Sequence, residues 1–106
     1  MKKSNFTPFE KKVYLKTAKI PKGKVTTYQE ITEAIGKPDS QRAAGNTLNK
    51  NPFAPKVPCH RVIRKNGEIG GFGRNPNEKI KLLQKEGVEI KNGKIANFKK
   101  YFIRLS

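Results

Sequence analysis

The chain has 106 residues, with 24 lysines and arginines against 8 acidic residues and a formal net charge of +16. We expect residues 1–106 to form a single domain, because this length suits one small core. The charge favours a polyanionic partner, since it is costly in self-repulsion until phosphates neutralise it. The single cysteine excludes an internal disulfide, and with one histidine and no C-x-x-C spacing a structural zinc site is excluded as well.

No apolar run approaches the roughly 18 residues that a membrane span needs. The charged N-terminus has no apolar segment behind it, so it does not have the pattern of a secretory signal. A lone cysteine suits a reducing compartment. We therefore expect a cytoplasmic protein, associated with the nucleoid if its polyanionic partner is DNA.

The first half of the chain predicts three helices. Residues 7–10 read Thr-Pro-Phe-Glu, a capping box that starts a helix to about residue 19. A second capping box at 27–30, Thr-Tyr-Gln-Glu, starts a short helix that Gly36 ends. A third helix is predicted over about 41–49. Two short helices joined by a tight glycine-containing turn predict a helix-turn-helix, with the third helix in the recognition position.

The second half predicts smaller elements around one more helix. Three prolines within 52–58 exclude regular structure and stiffen the approach to Cys59. Asn-Gly pairs at 66–67 and 92–93 predict β-hairpins. A flexible turn at 70–73 and a capping box at 75–78 precede a helix that ends at Gly87, and the apolar tail is expected to pack on the core. The predicted fold class is mostly α (α+β), a winged helix-turn-helix-like domain with short β-hairpins.

Residues 58–61, Pro-Cys-His-Arg, hold the only cysteine and the only histidine. A thiol has an ordinary pKa of about 8.5, so a base or nearby positive charge must activate it near neutrality. Adjacent side chains usually point apart, which favours a water between Cys59 and His60 over a direct bond. A histidine base also needs an orienting acceptor, and Glu86 is the candidate. The alternative is a buried, inert cysteine, but the stiff, polar flanks argue against it.

The chain resembles the O6-alkylguanine-DNA alkyltransferases, also called methylated-DNA–protein-cysteine methyltransferases, over about residues 6–90. The motifs that carry the resemblance are Gly-Lys-Val-Thr-Thr-Tyr at 23–28, Arg-Ala-Ala-Gly at 42–45, Asn-Pro at 51–52, Pro-Cys-His-Arg-Val at 58–62, Gly-Gly-Phe-Gly at 70–73, Lys79, and Glu-Gly at 86–87. The resemblance implies a catalytic DNA-binding domain, and the N-terminal domain of many members is expected to be missing.

The same resemblance implies direct reversal of DNA alkylation damage. The helix-turn-helix would enter the minor groove of duplex DNA and flip an O6-alkylguanine out of the stack. Its alkyl group, and that of O4-alkylthymine, would move irreversibly to the cysteine. This is a single-turnover reaction without cofactor or metal, carried out by a protein that is expected to be a monomer in solution.

The resemblance also implies roles for single residues. Cys59 corresponds to the alkyl acceptor, His60 to the residue that deprotonates it through a water, and Glu86 to the carboxylate that orients the histidine. Asn51 corresponds to a hinge that braces the helix-turn-helix against the active-site loop. For Asn51 the plainer alternative is a turn residue. A carboxylate at the C-terminal end of a helix, as at position 86, interacts unfavourably with the helix dipole. A functional role therefore explains Glu86 better than a stabilising one.

On the DNA side, Arg42 corresponds to the finger that fills the gap left by the flipped base, and Tyr28 to the tyrosine that crowds the phosphate and donates to the base. The alternatives are a phosphate contact for Arg42 and a core position for Tyr28. Small residues at 43–45 predict a slim helix face suited to a narrow minor groove. The predicted DNA-binding set is Thr27, Tyr28, Arg42, Ala43, Ala44 and Gly45, and the predicted substrate pocket is Tyr28, Val62, Phe72, Gly73 and Lys79.

Two other functions stay open. One is an alkyltransferase-like protein that flags the lesion without transfer; such proteins typically carry tryptophan at the cysteine position, so Cys59 argues against it. The other is a non-catalytic basic nucleic-acid-binding module, in which Cys59→Ser would change no biochemical property.

Phe72 stands where the family commonly has tyrosine, which bears on the preference for alkyl groups.

Overall fold

The computed structural model describes residues 6–54, 56–69 and 76–105. Its helices are α1 (Pro8–Thr17), α2 (Tyr28–Ala34), α3 (Gln41–Asn49), α4 (Pro76–Lys85) and α5 (Phe98–Tyr101). Its strands are β1 (Thr26–Thr27), β2 (Val62–Ile63), β3 (Ile90–Lys91) and β4 (Lys94–Ile95), and a 3-10 turn spans Cys59–Arg61. The predicted helix-rich α+β class is confirmed. Within the described ranges, no helix is long and apolar enough to cross a membrane.

The helix starts follow from local side-chain chemistry. At α1 the capping box is complete: Thr7 Oγ1 accepts from the Glu10 N–H, and Glu10 Oε1 accepts from the Thr7 N–H. At α2 the hydroxyl of Thr27 accepts from the N–H of Glu30. The helix α3 begins after Ser40 without a side-chain cap. The first residue of the capping box predicted at 75–78 lies outside the described residues.

The strands correct one predicted hairpin. Strand β2 pairs in parallel with β1, with Thr26 opposite Val62, and Glu68 pairs with the β3–β4 hairpin instead, opposite Lys94. The Asn-Gly turn itself does close, because Gly67 N–H donates to the carbonyl of Arg64 at 2.9 Å and Arg64 N–H donates to the carbonyl of Glu68 at 3.0 Å. Both residues of β2 are fully buried, and burial on both faces suits a parallel pairing. The other predicted hairpin is confirmed, since an Asn-Gly turn with positive φ at residues 92 and 93 joins β3 to β4.

The end of the chain packs on the core, as predicted, and also pairs with Val25, the residue before β1. Val25 N–H donates to the carbonyl of Tyr101, and Ile103 N–H donates to the carbonyl of Val25, both at 2.9 Å. Leu105 N–H donates to the carboxylate of Glu30 at 2.7 Å. The segment that leads into α2 is therefore held by β2 on one side and by the tail on the other.

Two apolar clusters form the core, and β2 joins them. The first lies among α1, α2 and α3 and includes Val13, Ile31, Leu48 and Val62. The second lies under α4, the β3–β4 hairpin and the tail, and includes Ile63 and Leu83. Consecutive residues of a strand face opposite sides, so Val62 enters one cluster and Ile63 the other. This double anchoring fixes the segment that directly follows Cys59–Arg61.

Candidate active site

Cys59 opens a 3-10 turn at the end of the proline-rich segment. Its N–H donates to the carbonyl of Val57 at 2.8 Å, and Arg61 N–H donates to the carbonyl of Pro58 at 2.9 Å. The side chain is half-buried and packs against the cluster among α1, α2 and α3. The thiol is therefore held by an ordered backbone while part of its surface stays accessible.

Asn51 ties the end of α3 to this turn. Its buried side chain donates from Nδ2 to the carbonyl of Val57 at 2.7 Å and accepts at Oδ1 from the N–H of Phe53 at 2.9 Å. The second bond is the turn contact expected of an asparagine. The first reaches the residue two positions before Cys59, so the helix-turn-helix and the thiol share one hydrogen-bonded connection.

His60 and Glu86 form a pair beside the thiol, with His60 Nε2 2.9 Å from Glu86 Oε2. Burial alone would raise the pKa of Glu86, but hydrogen bonds from Arg61 and His60 outweigh it and lower that pKa to about 2. The carboxylate is therefore ionised at neutral pH and acts only as an acceptor. Hence Nε2 carries the ring proton, and Nδ1 of a neutral imidazole is the acceptor.

Burial lowers the pKa of His60, and the hydrogen bond to Glu86 opposes that shift. The positive charges of Arg61 and Lys79 lower it further. A neutral imidazole at neutral pH is the form that can accept a proton. The site therefore holds a thiol and a base in consecutive residues, with the base fixed in one tautomer by an ionised carboxylate.

The contact of Arg61 with Glu86 was not predicted, because the sequence offered Arg61 only as a positive charge close to Cys59. Its Nε donates to Glu86 Oε1 at 2.9 Å, its Nη2 donates to Glu86 Oε2 at 2.7 Å, and its Nη1 donates to the carbonyl of Ile20 at 2.7 Å. The guanidinium thus joins the Cys59–Arg61 turn, the end of α4 and the loop after α1. The available signal was an arginine directly after the histidine in a chain with few carboxylates.

Gly23 lets the loop after α1 approach the same carboxylate residue. Its φ is +83°, and a Cβ at this position would lie 3.3 Å from the backbone oxygen of Glu86. A side chain would be strained by the positive φ and would also press on that carbonyl. The glycine of the motif at 23–28 therefore has a packing reason that is independent of DNA.

Tyr28 and Lys79 form a second pair of residues that is influenced by the thiol. Lys79 Nζ is 3.4 Å from the Tyr28 hydroxyl and 5.6 Å from the centre of its ring. Burial lowers the pKa of Lys79 to about 8, and a negative charge on Cys59 opposes that shift. Burial, followed by the charge of Cys59, raises the pKa of Tyr28. Both residues are therefore within electrostatic reach of the thiol, and the tyrosine hydroxyl stays protonated.

The exposed face of α3 is narrower than predicted. Arg42, Ala43 and Asn46 are exposed, whereas Ala44 is fully buried and Gly45 is buried as well. The slim face predicted from residues 43–45 is therefore corrected: among these three, Ala43 alone faces outward, and the other two let α3 pack closely on its neighbours. Thr27 is also buried, and its hydroxyl is engaged in capping α2.

A cleft of about 490 Å³ connects α2, α3 and the turn after β2. Its lining residues are Tyr28, Gln29, Gln41, Arg42, Arg64 and Lys65. Within the described part of the chain, this lining includes three cations and no carboxylate. Tyr28 therefore lines this cleft and is also within electrostatic reach of Cys59. Sequence reasoning singled out Tyr28 and Arg42 but missed the other four residues.

The remaining predicted pocket residues divide into two groups. Val62 is fully buried, and its N–H donates to the carbonyl of Cys59, so its side chain belongs to the core beside the thiol. Phe72 and Gly73 lie outside the described residues. The part of the predicted pocket that the structure describes is thus Tyr28, Val62 and Lys79.

The arrangement defines a helix-turn-helix protein in which a thiol and a histidine–carboxylate pair are linked to the end of α3 through Asn51. Comparison with known proteins gives the family. The family model described as "6-O-methylguanine DNA methyltransferase, DNA binding domain" matches residues 8–88, and the chain belongs to this family.

Three relatives illustrate the similarity. The methylated-DNA–protein-cysteine methyltransferase of Saccharolobus solfataricus is 48% identical over 83 residues, which are 78% of this chain and 53% of that protein. The crystal structure of Mycobacterium tuberculosis OGT in complex with DNA superposes with a TM-score of 0.73 at 40% identity, covering 77% of this chain and 51% of that one. The chain spans about half the length of the curated relatives that it matches.

The third is S. pombe Atl1, solved in complex with damaged DNA that contains O6-carboxymethylguanine. It superposes with a TM-score of 0.84 at 32% identity, covering 95% of this chain and 99% of that one. The similarity to Atl1 thus extends beyond residue 88, where the match to the family model ends.

Proposed function

We propose that this protein repairs alkylated DNA by moving an alkyl group from O6 of guanine in a duplex to Sγ of Cys59. The observation that carries the proposal is the half-buried thiol followed by a histidine whose Nε2 is held by an ionised carboxylate. The thiolate attacks the alkyl carbon, a sulfur–carbon bond forms, and the carbon–O6 bond breaks. Its electron pair goes to guanine, which then takes up a proton. The thioether is stable, so each molecule acts once, and O4-alkylthymine is a second substrate of the same chemistry.

The hydrogen-bond network supports a proton path away from the thiol. Nδ1 of His60 accepts the thiol proton through a water, and the imidazolium that results is stabilised by Glu86. Because its pKa is raised, Tyr28 keeps its hydroxyl proton and can donate a hydrogen bond to the base that is losing its alkyl group. The path needs no metal or cofactor.

The basic cleft supports duplex DNA as the partner. In the proposed complex α3 lies in the minor groove, and Arg42 enters the stack in place of the flipped nucleotide. Arg64 and Lys65 are placed to contact phosphates on the other wall of the cleft. The Tyr28 side chain then separates the duplex from the thiol, so a base must leave the stack and pass this residue before transfer.

The relatives support the same assignment. The Saccharolobus protein is named a methylated-DNA–protein-cysteine methyltransferase, and the M. tuberculosis protein was solved with DNA. Because the match to the family model, residues 8–88, includes Cys59, His60 and Glu86, we assign the transfer reaction to this chain as well.

A mass measurement tests the proposal. The protein is incubated with a duplex that contains one O6-methylguanine, and the intact protein is weighed before and after. We expect a gain of one methyl group on Cys59, located by peptide mapping, and no gain in Cys59→Ser. The proposal fails if the wild-type protein binds the lesion but shows no adduct.

The second candidate is a lesion-binding protein that flags damage without transfer. The similarity to Atl1, which was solved on damaged DNA, favours it. The cysteine at position 59 favours transfer, since binding alone does not need a nucleophile. The same experiment separates the two, because tight binding that Cys59→Ser leaves unchanged, with no adduct on the wild type, is the result of the second candidate alone.

A further inference from the structure

The fold continues beyond the part that matches the family model. That match ends at residue 88, whereas β3, β4, α5 and the final segment form an ordered C-terminal extension, residues 89–105. The extension contains one acid, Glu89, and five cations: Lys91, Lys94, Lys99, Lys100 and Arg104. All five cations are exposed. The extension is therefore a basic surface that the family match does not account for.

The extension lines a second cleft, of about 230 Å³, which adjoins the cleft at Tyr28 and Arg42. Phe98, Phe102 and Arg104 of the extension line it together with residues of α2 and the turn after β2. Gln29 and Lys65 line both clefts. The cations Arg42, Lys65 and Arg104 thus border two adjoining clefts.

Two carboxylates, those of Glu30 and Glu33, also line the second cleft, and each accepts a hydrogen bond from a neutral donor. The carboxylate of Glu30 accepts from the N–H of Leu105, and that of Glu33 accepts from the side chain of Gln29 at 3.0 Å. Arg104 is exposed, and among the described residues the structure records no ion pair or hydrogen bond for its guanidinium. Phe98 and Phe102 stack with ring centres 5.1 Å apart and supply an apolar wall.

We infer that Arg104, together with Lys65, binds a backbone phosphate of the duplex outside the flipped nucleotide. A phosphodiester matches this surface because its charge suits the two cations and the adjacent sugar has an apolar edge for the stacked rings. The inference rests on the proposed function, since it needs duplex DNA on α3. It adds that the C-terminal extension enlarges the footprint of the protein on DNA.

The salt dependence of binding tests the inference. Removing one cation that neutralises a phosphate makes the slope of log affinity against log salt shallower by about 0.9. We expect this change for Arg104→Gln on an unmodified duplex. Raising the salt from 50 to 200 mM should weaken binding by both proteins, and the fold-loss of affinity should be roughly threefold smaller for the variant than for the wild type. The matched control is Lys12→Gln, which removes an exposed charge on α1, beside a separate groove, and should leave the slope unchanged.

The outcomes separate the inference from the proposed function. Equal slopes for Arg104→Gln and the wild type, or equal changes for Arg104→Gln and Lys12→Gln, would overturn the inference while leaving α3 as the DNA site. A wild-type protein without salt-dependent duplex binding would instead overturn the proposed function. Thermal melting of both variants confirms that they fold, which is expected because both side chains are exposed.

Discussion

Arg61 binds Glu86 in a bidentate ion pair, in which Nε and Nη2 donate to the two carboxylate oxygens at 2.9 and 2.7 Å. Such a bidentate pair is stronger and more directional than a single charged hydrogen bond. It leaves Oε2 shared between Arg61 and His60, so the imidazole meets a carboxylate whose orientation is already fixed. The arginine does not reach the thiol itself; it acts through the carboxylate and is a positioning residue for the proposed reaction.

Replacement of Arg61 should move the pH dependence of transfer. Arg61 lowers the pKa of His60, so Arg61→Met raises it, and the acid limb of the rate profile moves to higher pH. At a pH below that limb the rate should fall about tenfold for each pH unit of displacement. Arg61→Lys keeps the positive charge, so the acid limb should return close to its wild-type pH. The maximal transfer rate should recover less. Single-turnover transfer from pH 5.5 to 8.5 measures this, and an unmoved acid limb in Arg61→Met would refute the positioning role.

The Glu86 carboxylate should also make stability sensitive to acid. Its pKa is lowered from an ordinary 4.5 to about 2, so its contribution is fully present above pH 4.5 and is lost as the pH falls towards 2. A shift of this size sets an upper bound of about 3 kcal/mol on its contribution to the unfolding free energy, and solvent screening of this partly exposed carboxylate makes the actual contribution smaller. Urea unfolding at pH 7, 5 and 3 should therefore show a steeper acid loss for the wild type than for Glu86→Gln. Parallel curves for the two proteins would contradict this.

Local signals in the sequence were sufficient for the starts of α1 and α2 because each of them carries its own cap. The Thr7–Glu10 box and the Thr27 cap depend on residues three apart, so they are readable without tertiary structure. The pairing of β2 was not readable, because its parallel partner lies 36 residues away at Thr26–Thr27. Parallel pairing of two-residue strands leaves no local turn signal. The same limit explains why the contact between the tail and Val25 was expected only in outline.

The residues of the site also differ in whether a local signal in the sequence reveals them. Cys59 and His60 are adjacent, and their rarity in the chain was enough to single them out. The role of Arg61 was missed because it depends on Glu86, 25 residues later, and on a carbonyl of the loop after α1. The burial of Ala44 was missed for a different reason: small residues suit both a close DNA approach and close helix packing, and the sequence does not distinguish the two.

Arg42 should matter for duplex DNA and not for the free base. In the proposed complex its side chain offsets part of the cost of unstacking the flipped nucleotide, which is a few kcal/mol. A loss of about 2 kcal/mol corresponds to roughly thirtyfold slower transfer from duplex in Arg42→Ala. Transfer from free O6-alkylguanine should stay at the wild-type rate. If Arg42→Ala slows transfer equally from duplex DNA and from the free base, Arg42 does not fill the gap in the stack. If Lys12→Ala slows transfer from duplex as much as Arg42→Ala does, the effect comes from the loss of net charge alone.

Asn51 should couple stability to transfer, because it bonds the loop that leads to Cys59. Asn51→Ala leaves the carbonyl of Val57 and the N–H of Phe53 without the partners they have now, at a cost of about 1–3 kcal/mol. Asn49→Ala, an exposed change at the end of α3, is the matched control and should stay within about 0.5 kcal/mol. Urea unfolding measures both. Under conditions where Asn51→Ala is fully folded, its transfer from duplex should still be slower than that of the control, because the turn that holds the thiol is no longer tied to α3. Wild-type transfer by a folded Asn51→Ala protein would reduce Asn51 to a turn residue.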